Sequence, residues 1–162
     1  NTVEATKAIA FYYYEKSGAS HVVESYLDKV LSLNPNDLES RWVRVKCNMN
    51  TNSNLNDFEK ATEDLIYIAN NGGASAKVYA NLGLVYQKIA KIWEMTPIEA
   101  KSTYQDDNSA DVIKKQNLAK AVQSLKYSNI YYLKSVEIND TYKKKVDFEV
   151  KDNNLQIDRF SK

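Results

Sequence analysis

The chain has 162 residues, 22 of them basic and 21 acidic, for a formal net charge of +1. That length suits one domain with a real core, and that balance excludes a nucleic-acid binder working through bulk charge. Cys47 is the single cysteine, so no intrachain disulfide forms, and no apolar run approaches the roughly 20 residues of a membrane-spanning helix.

With only 4 Gly and 2 Pro, long helices meet few interruptions. Residues 3–16 read as the first, with Val3, Ala5, Ala8, Ile9, Phe11, Tyr12 and Tyr13 giving a broad apolar surface. Ser17-Gly18-Ala19-Ser20 breaks it. Residues 21–33 form the second, with Val23, Tyr26, Leu27, Val30 and Leu31 at spacings of three and four. Asn34-Pro35-Asn36-Asp37 then stops one helix and starts another: the residue before a proline disfavours helical geometry, and Asp37 can cap the next helix. The third helix is Leu38–Met49. A polar loop over 50–57 caps the fourth, residues 58–69, at Asp57, and Asn70-Asn71-Gly72-Gly73 ends it.

The fifth helix spans about Ala76 to Glu94. Thr96-Pro97-Ile98-Glu99 is a capping signal for a short helix that fades in residues 105–109. A long helix covers about Ala110 to Ile138, with Leu118, Val122, Leu125, Tyr132 and Val136 on its seam, and Asn139-Asp140 closes it. In residues 141–162, Val146, Phe148 and Val150 alternate, Asp152-Asn153-Asn154 turns, and Leu155 and Ile157 alternate again. That is a β-hairpin pattern. Its rival is a polar capping helix, favoured if the preceding pattern continues.

The helix ends at Asn34, Asn70 and Asn139 lie 36 and 69 residues apart, one and two units of a common period. A helix pair repeating every 34 or so residues is a tetratricopeptide signature. Residues 78–90 supply Tyr79, Leu82, Gly83, Tyr86 and Ala90 in register with that pattern. The first unit supplies Ala10, Tyr14, Gly18, Leu27 and Pro35, with Phe11 where the close-packing glycine stands and Val23 and Val30 where small residues stand. The second supplies Trp42, Val45 and Met49, then Ala61 and Leu65 after about three inserted residues. In the third, Tyr132 and Ser135 match a second helix displaced by residues 95–110, and Asp140 replaces the expected proline. The chain thus resembles the tetratricopeptide-repeat family over about residues 4–140. The resemblance implies an all-α helix-pair solenoid of about three repeats, with an insertion at about 95–110. Residues 141–162 form a separate C-terminal extension.

Carried over residue by residue, the family's groove positions fall on Ala8, Tyr12 and Glu15, on Val43, Cys47 and Asn50, and on Ala80, Leu84, Gln87 and Lys88. This set is apolar in the middle and lacks a dense basic clamp. It suits a helix of another protein, a peptide segment or the chain's own C-terminal segment.

No catalytic constellation accompanies it. His21 is the sole histidine, no cysteine pair exists for zinc, and Asn70-Asn71-Gly72-Gly73 lacks the spacing and lysine of a phosphate loop. The expectation is a protein that is not an enzyme, has no cofactor or metal, and binds another protein rather than nucleic acid; no oligomeric state follows. Phe11 and Tyr14 are packing residues, whereas Tyr12 faces the groove. Lys143-Lys144-Lys145 reads as a solvated run. Asn139-Asp140-Thr141 matches a glycosylation sequon, a short motif that chance also supplies.

The alternative function is a structural or assembly subunit of a cell-envelope complex. It would contact its partner through residues 95–110 and through the hairpin, whose free edge can extend a neighbouring sheet. A third reading, a carbohydrate-binding envelope protein, rests on Trp93 and Tyr104. Lysine outnumbers arginine 19 to 3 and asparagine occurs 17 times, which suggests an AT-rich genome. Similar degenerate repeats occur in bacterial lipoproteins. The chain opens Asn1-Thr2-Val3 without a methionine and is read as a processed form or an excised segment. An extracytoplasmic location is the expectation from these two points.

Overall fold

The computed structural model describes residues 2–50, 52–96 and 107–162, and all regular structure among them is helical. The helices are α1 (Thr2–Ser17), α2 (His21–Leu33), α3 (Leu38–Asn48), α4 (Leu55–Ile68), α5 (Ala76–Met95), α6 (Asp107–Ile138) and α7 (Lys143–Phe160). They form two compact units, residues 1–78 and 79–162, with the boundary inside α5.

In the first unit α1 packs on α2, α2 on α3 and α3 on α4. Ala10, Val23, Leu27, Val43 and Cys47 make one core cluster, with Phe11, Tyr14, Ala19 and Tyr26 against it. The turn over residues 34–37 is fixed from several sides. Asp37 caps α3 by accepting from the Ser40 amide at 3.1 Å, and it pairs with Lys7 at 2.7 Å. Pro35 O accepts from Arg41 Nε at 2.9 Å, and Asn36 Oδ1 accepts from the Tyr67 hydroxyl.

α4 begins three residues earlier than the sequence indicates. Asn54, not Asp57, is its cap: Asn54 Oδ1 accepts from the Asp57 amide, while Asp57 reaches back to the Asn54 amide. Asp57 is therefore the inner half of a capping box. After α4 the chain makes one π turn over Ala69–Gly73, and Gly72 has φ +93°, which glycine tolerates without cost from a side chain.

The buried carboxylate of Asp64 on α4 is the polar centre of this unit. Arg41 Nη1 donates to it at 2.6 Å, and Arg44 donates through Nε and Nη2, each at 2.8 Å. The Arg41 guanidinium also lies 3.7 Å from the Tyr67 ring centroid. Burial alone would lower the pKa of Arg44, but its bonds to Asp64 and Asp28 outweigh burial and raise it.

Two other carboxyls make this unit acid-sensitive. Burial pushes Glu24 up, but hydrogen bonds from Lys60 and His21 prevail and hold it below 4.5. Asp37 is likewise pushed up by burial and brought below 3.8 by Lys7 and the Ser40 amide. A carboxyl with a lowered folded pKa adds stability that is complete above its unfolded pKa and lost as pH falls through the folded one. Unfolding free energy in urea should change little from neutral pH down to about 4.5, the ordinary Glu value, and fall below it. Glu24→Gln should flatten part of that fall; an acid slope equal to the parent's would show that Glu24 has no share in it.

In the second unit α5, α6 and α7 share a core in which Ala90, Ala121 and Leu125 meet Trp93, Ile157 and Phe160. Residues 141–162, set apart by the sequence, belong to this unit. The hairpin expected there is a helix. Its inward seam is the buried Val146 and Asn153 with the half-buried Val150, Ile157 and Phe160, a spacing near 3.5 that only a helix presents on one side. Phe148 and Leu155 produced the alternation, yet they are 70% and 61% exposed. Without a strand edge, the sheet-extending contact of the assembly-subunit reading is lost.

The other differences surround residues 95–110. The Thr96 hydroxyl donates back to Ile92 O at 2.7 Å, and the rest of the capping signal, residues 97–99, lies outside the described residues. α6 starts at Asp107, three residues before Ala110. The short helix expected between them, and Tyr104, lie outside the described residues. No helix among the described residues is long and apolar enough to cross a membrane.

Candidate binding cleft

Helical periodicity assembles a polar cleft in the second unit. On α5, Leu84, Gln87, Lys88, Lys91 and Glu94 recur at spacings that keep them on one stripe. On α7, Glu149, Asp152, Asn153, Gln156 and Arg159 repeat the same spacings. Together with Leu125 of α6 they enclose a cleft of about 560 Å³.

Its wall is a hydrogen-bonded network. Gln87 Nε2 donates to Glu149 at 3.0 Å and to Asn153 Oδ1 at 2.8 Å, while Gln87 Oε1 accepts from the Tyr132 hydroxyl at 2.8 Å. Asn153 Nδ2 donates to Ser128 Oγ at 3.0 Å and to Asn129 Oδ1 at 2.7 Å. Ser128 Oγ donates to Gly83 O at 2.8 Å, so one fully buried amide links α5, α6 and α7. Burial, then the nearby Glu149 carboxylate, raises the Tyr132 pKa and keeps its hydroxyl a donor. At the far end Arg159 Nη2 donates to Glu94 at 2.6 Å. Lys88 and Lys91 are exposed and have no carboxylate partner among the described residues.

Asn153→Leu should cost about 2 kcal/mol in a thermal or urea melt, because it removes a fully buried amide that bonds Gln87, Ser128 and Asn129 and leaves the buried Ser128 hydroxyl without that donor. A variant as stable as the parent would show that the network does not hold α7.

Of the residues assigned to the groove, Leu84, Gln87 and Lys88 come together here, and Ala80 is half-buried one turn before Leu84. The others lie in the first unit. Ala8, Tyr12 and Glu15 are exposed on α1, with Tyr12 at 57%. Asn50 is half-buried, its amide donating to Cys47 O at 2.8 Å. Val43 and Cys47 are corrected: both are core residues with no surface to offer a partner, because the face of α3 that carries them packs against Ala10 of α1 and Val23 and Leu27 of α2. Burial accordingly pushes the Cys47 thiol up. Trp93 is half-buried, with Lys120 Nζ 3.9 Å from its ring centroid.

Sequence reasoning missed the α7 half of the cleft. Its signal lies in the shared spacing of residues 149–159 and residues 84–94. The cleft offers ammonium, carboxylate and amide groups beside Leu84, which is chemistry for holding a ligand by charge and hydrogen bonds. Among the described residues no three His, Cys, Asp or Glu side chains converge as a metal set. No protein-family model, no curated protein and no solved structure matches the chain.

Proposed function

We propose that the chain is a non-catalytic binding module of tetratricopeptide-like construction, which holds a segment of another protein between α5 and α7. The observation that carries this reading is the pair of matching stripes facing across one cleft, three of whose residues are groove positions of the family resembled. Leu84 supplies an apolar contact for a side chain of the segment. The unpaired Lys88 and Lys91 favour a segment with carboxylates, while Glu149 and the amides fix its backbone or polar groups.

The test places a photo-crosslinking residue at Lys88 in cells of the native source, and another at Lys126, exposed on α6 away from the cleft. Adducts with one partner are expected from Lys88 only. Lys88→Glu with Lys91→Glu should keep the helical spectrum and weaken capture of that partner about tenfold or more. Equal adducts from both sites, or none from Lys88, would defeat the reading.

A further inference from the structure

The first and the last helix pairs each carry an apolar face that the chain leaves uncovered. On α1 and α2, the side chains of Ile9, Tyr12, Tyr13, Val22 and Leu33 are between 41% and 59% exposed. Tyr13 and Tyr26 stack with centroids 5.8 Å apart, which joins the strips of the two helices. The charges within these strips are both positive. Lys16 lies 5.8 Å from the Tyr12 centroid and Lys29 5.5 Å from that of Tyr26, and neither has a carboxylate partner among the described residues. Glu15, exposed and three residues after Tyr12, borders the α1 strip, and Glu4 lies farther round the helix.

Among the exposed apolar side chains of α6 and α7 are Ile130, Leu133 and Leu155. A groove of about 330 Å³ runs between the helices, lined by Leu133, Val150, Asn154 and Leu155. Asp147 and Asp158 stand on its rim without a basic partner among the described residues, and Lys151 is the one base there.

The geometry points to a second copy of this chain as the occupant: the α1–α2 face of one molecule seats on the α6–α7 groove of the next. Charge complementarity and exposed apolar surface coincide on these two faces. Among the described residues, two ammoniums without a carboxylate partner flank one, and two carboxylates without a basic partner, beside the single Lys151, flank the other, and every copy carries both. Tyrosine suits the basic face, since it brings a large apolar area with little side-chain entropy to lose. Such a contact joins unlike surfaces, so it is heterologous, each copy offering one face of each kind. Salt weakens it, because the charges are exposed. It is separate from the α5–α7 cleft.

Sedimentation equilibrium of the whole chain tests this. The average mass should rise with protein concentration at low salt and rise less at high salt. Tyr12→Glu, which blocks the basic face, and Leu133→Lys, which blocks the groove, should each raise the dissociation constant at least about tenfold. Both replace exposed residues, and circular dichroism checks that the helices persist. An equimolar mixture of the two variants retains one intact face of each kind, so it should form pairs and nothing larger. Crosslinking at Lys88 should be unaffected in both. A parent that stays monomeric at every concentration overturns the inference. So does loss of association in Tyr12→Glu alone, which would mean that the α1–α2 face meets itself. A monomer that sediments with phosphatidylserine vesicles through Lys16 and Lys29 would assign that face to lipid and equally overturn it.

Discussion

Gly83→Leu will destabilise the second unit by about 3 kcal/mol, the upper end of what overpacking a closed site costs. A Cβ on Gly83 would stand 2.6 Å from Tyr132 Cδ1, 2.7 Å from Cγ and 2.8 Å from Cε1. The ring cannot swing aside: Tyr132 is 2% exposed, and its hydroxyl is held by Gln87. The backbone cannot retreat freely either, because Ser128 Oγ is bonded to Gly83 O. Gly83→Ala separates clash from helix preference. Propensity alone favours alanine by about 1 kcal/mol, so a loss of stability there isolates the steric cost. Tyr132→Leu introduced beside Gly83→Ala should recover part of that loss, a coupling on the order of 1 kcal/mol between touching residues. If Gly83→Ala melts above the parent, the approach of α5 to α6 is looser than the distances state.

Asp64→Ala will cost the first unit about 3–5 kcal/mol in urea unfolding, the usual consequence of removing one partner from a buried ion pair. Asp64 is fully buried, and both guanidiniums that bind it are largely withdrawn from water. Without it, Arg41 keeps only Pro35 O and its place over Tyr67, and Arg44 keeps only Asp28. The pair with Asp28 is half exposed and offsets little. The damage should spread to the turn at residues 34–37, since Arg41 and Tyr67 both fasten it. A loss under about 1 kcal/mol, the scale of a surface pair, would show that the arginines find water or new partners instead.

Six of the seven helices were legible because their apolar residues recur at three and four, and because turns such as Asn34-Pro35-Asn36-Asp37 combine a proline with a capping aspartate. Gly83 was legible as a close-packing position from its register with Leu82 and Tyr86. α7 was not, for a physical reason. Its seam runs through Asn153, a polar residue that a hydrophobicity pattern discards, while the exposed Phe148 and Leu155 complete a false alternation. Burial of an amide depends on partners far away in sequence, here Gln87 and Ser128, and no local pattern announces them. The cleft was half legible for the same reason: Leu84, Gln87 and Lys88 follow from the repeat register, and Glu149 to Arg159 were lost with the helix that carries them. Val43 and Cys47 were misplaced because a register names a face of α3 but not what covers it, and here Ala10, Val23 and Leu27 of α1 and α2 do.

The chain's two tryptophans divide between the two units, and each sits beside an ammonium: Trp42 with Lys77 Nζ at 5.0 Å, Trp93 with Lys120 Nζ at 3.9 Å. Indole emission responds to a neighbouring cation and to water, so each unit has a built-in optical reporter. Trp42→Phe and Trp93→Phe yield two single-emitter proteins whose fluorescence melts follow one unit apiece. Coincident curves would mark a single cooperative transition, and separated curves would rank the units by stability and show which of them opens first.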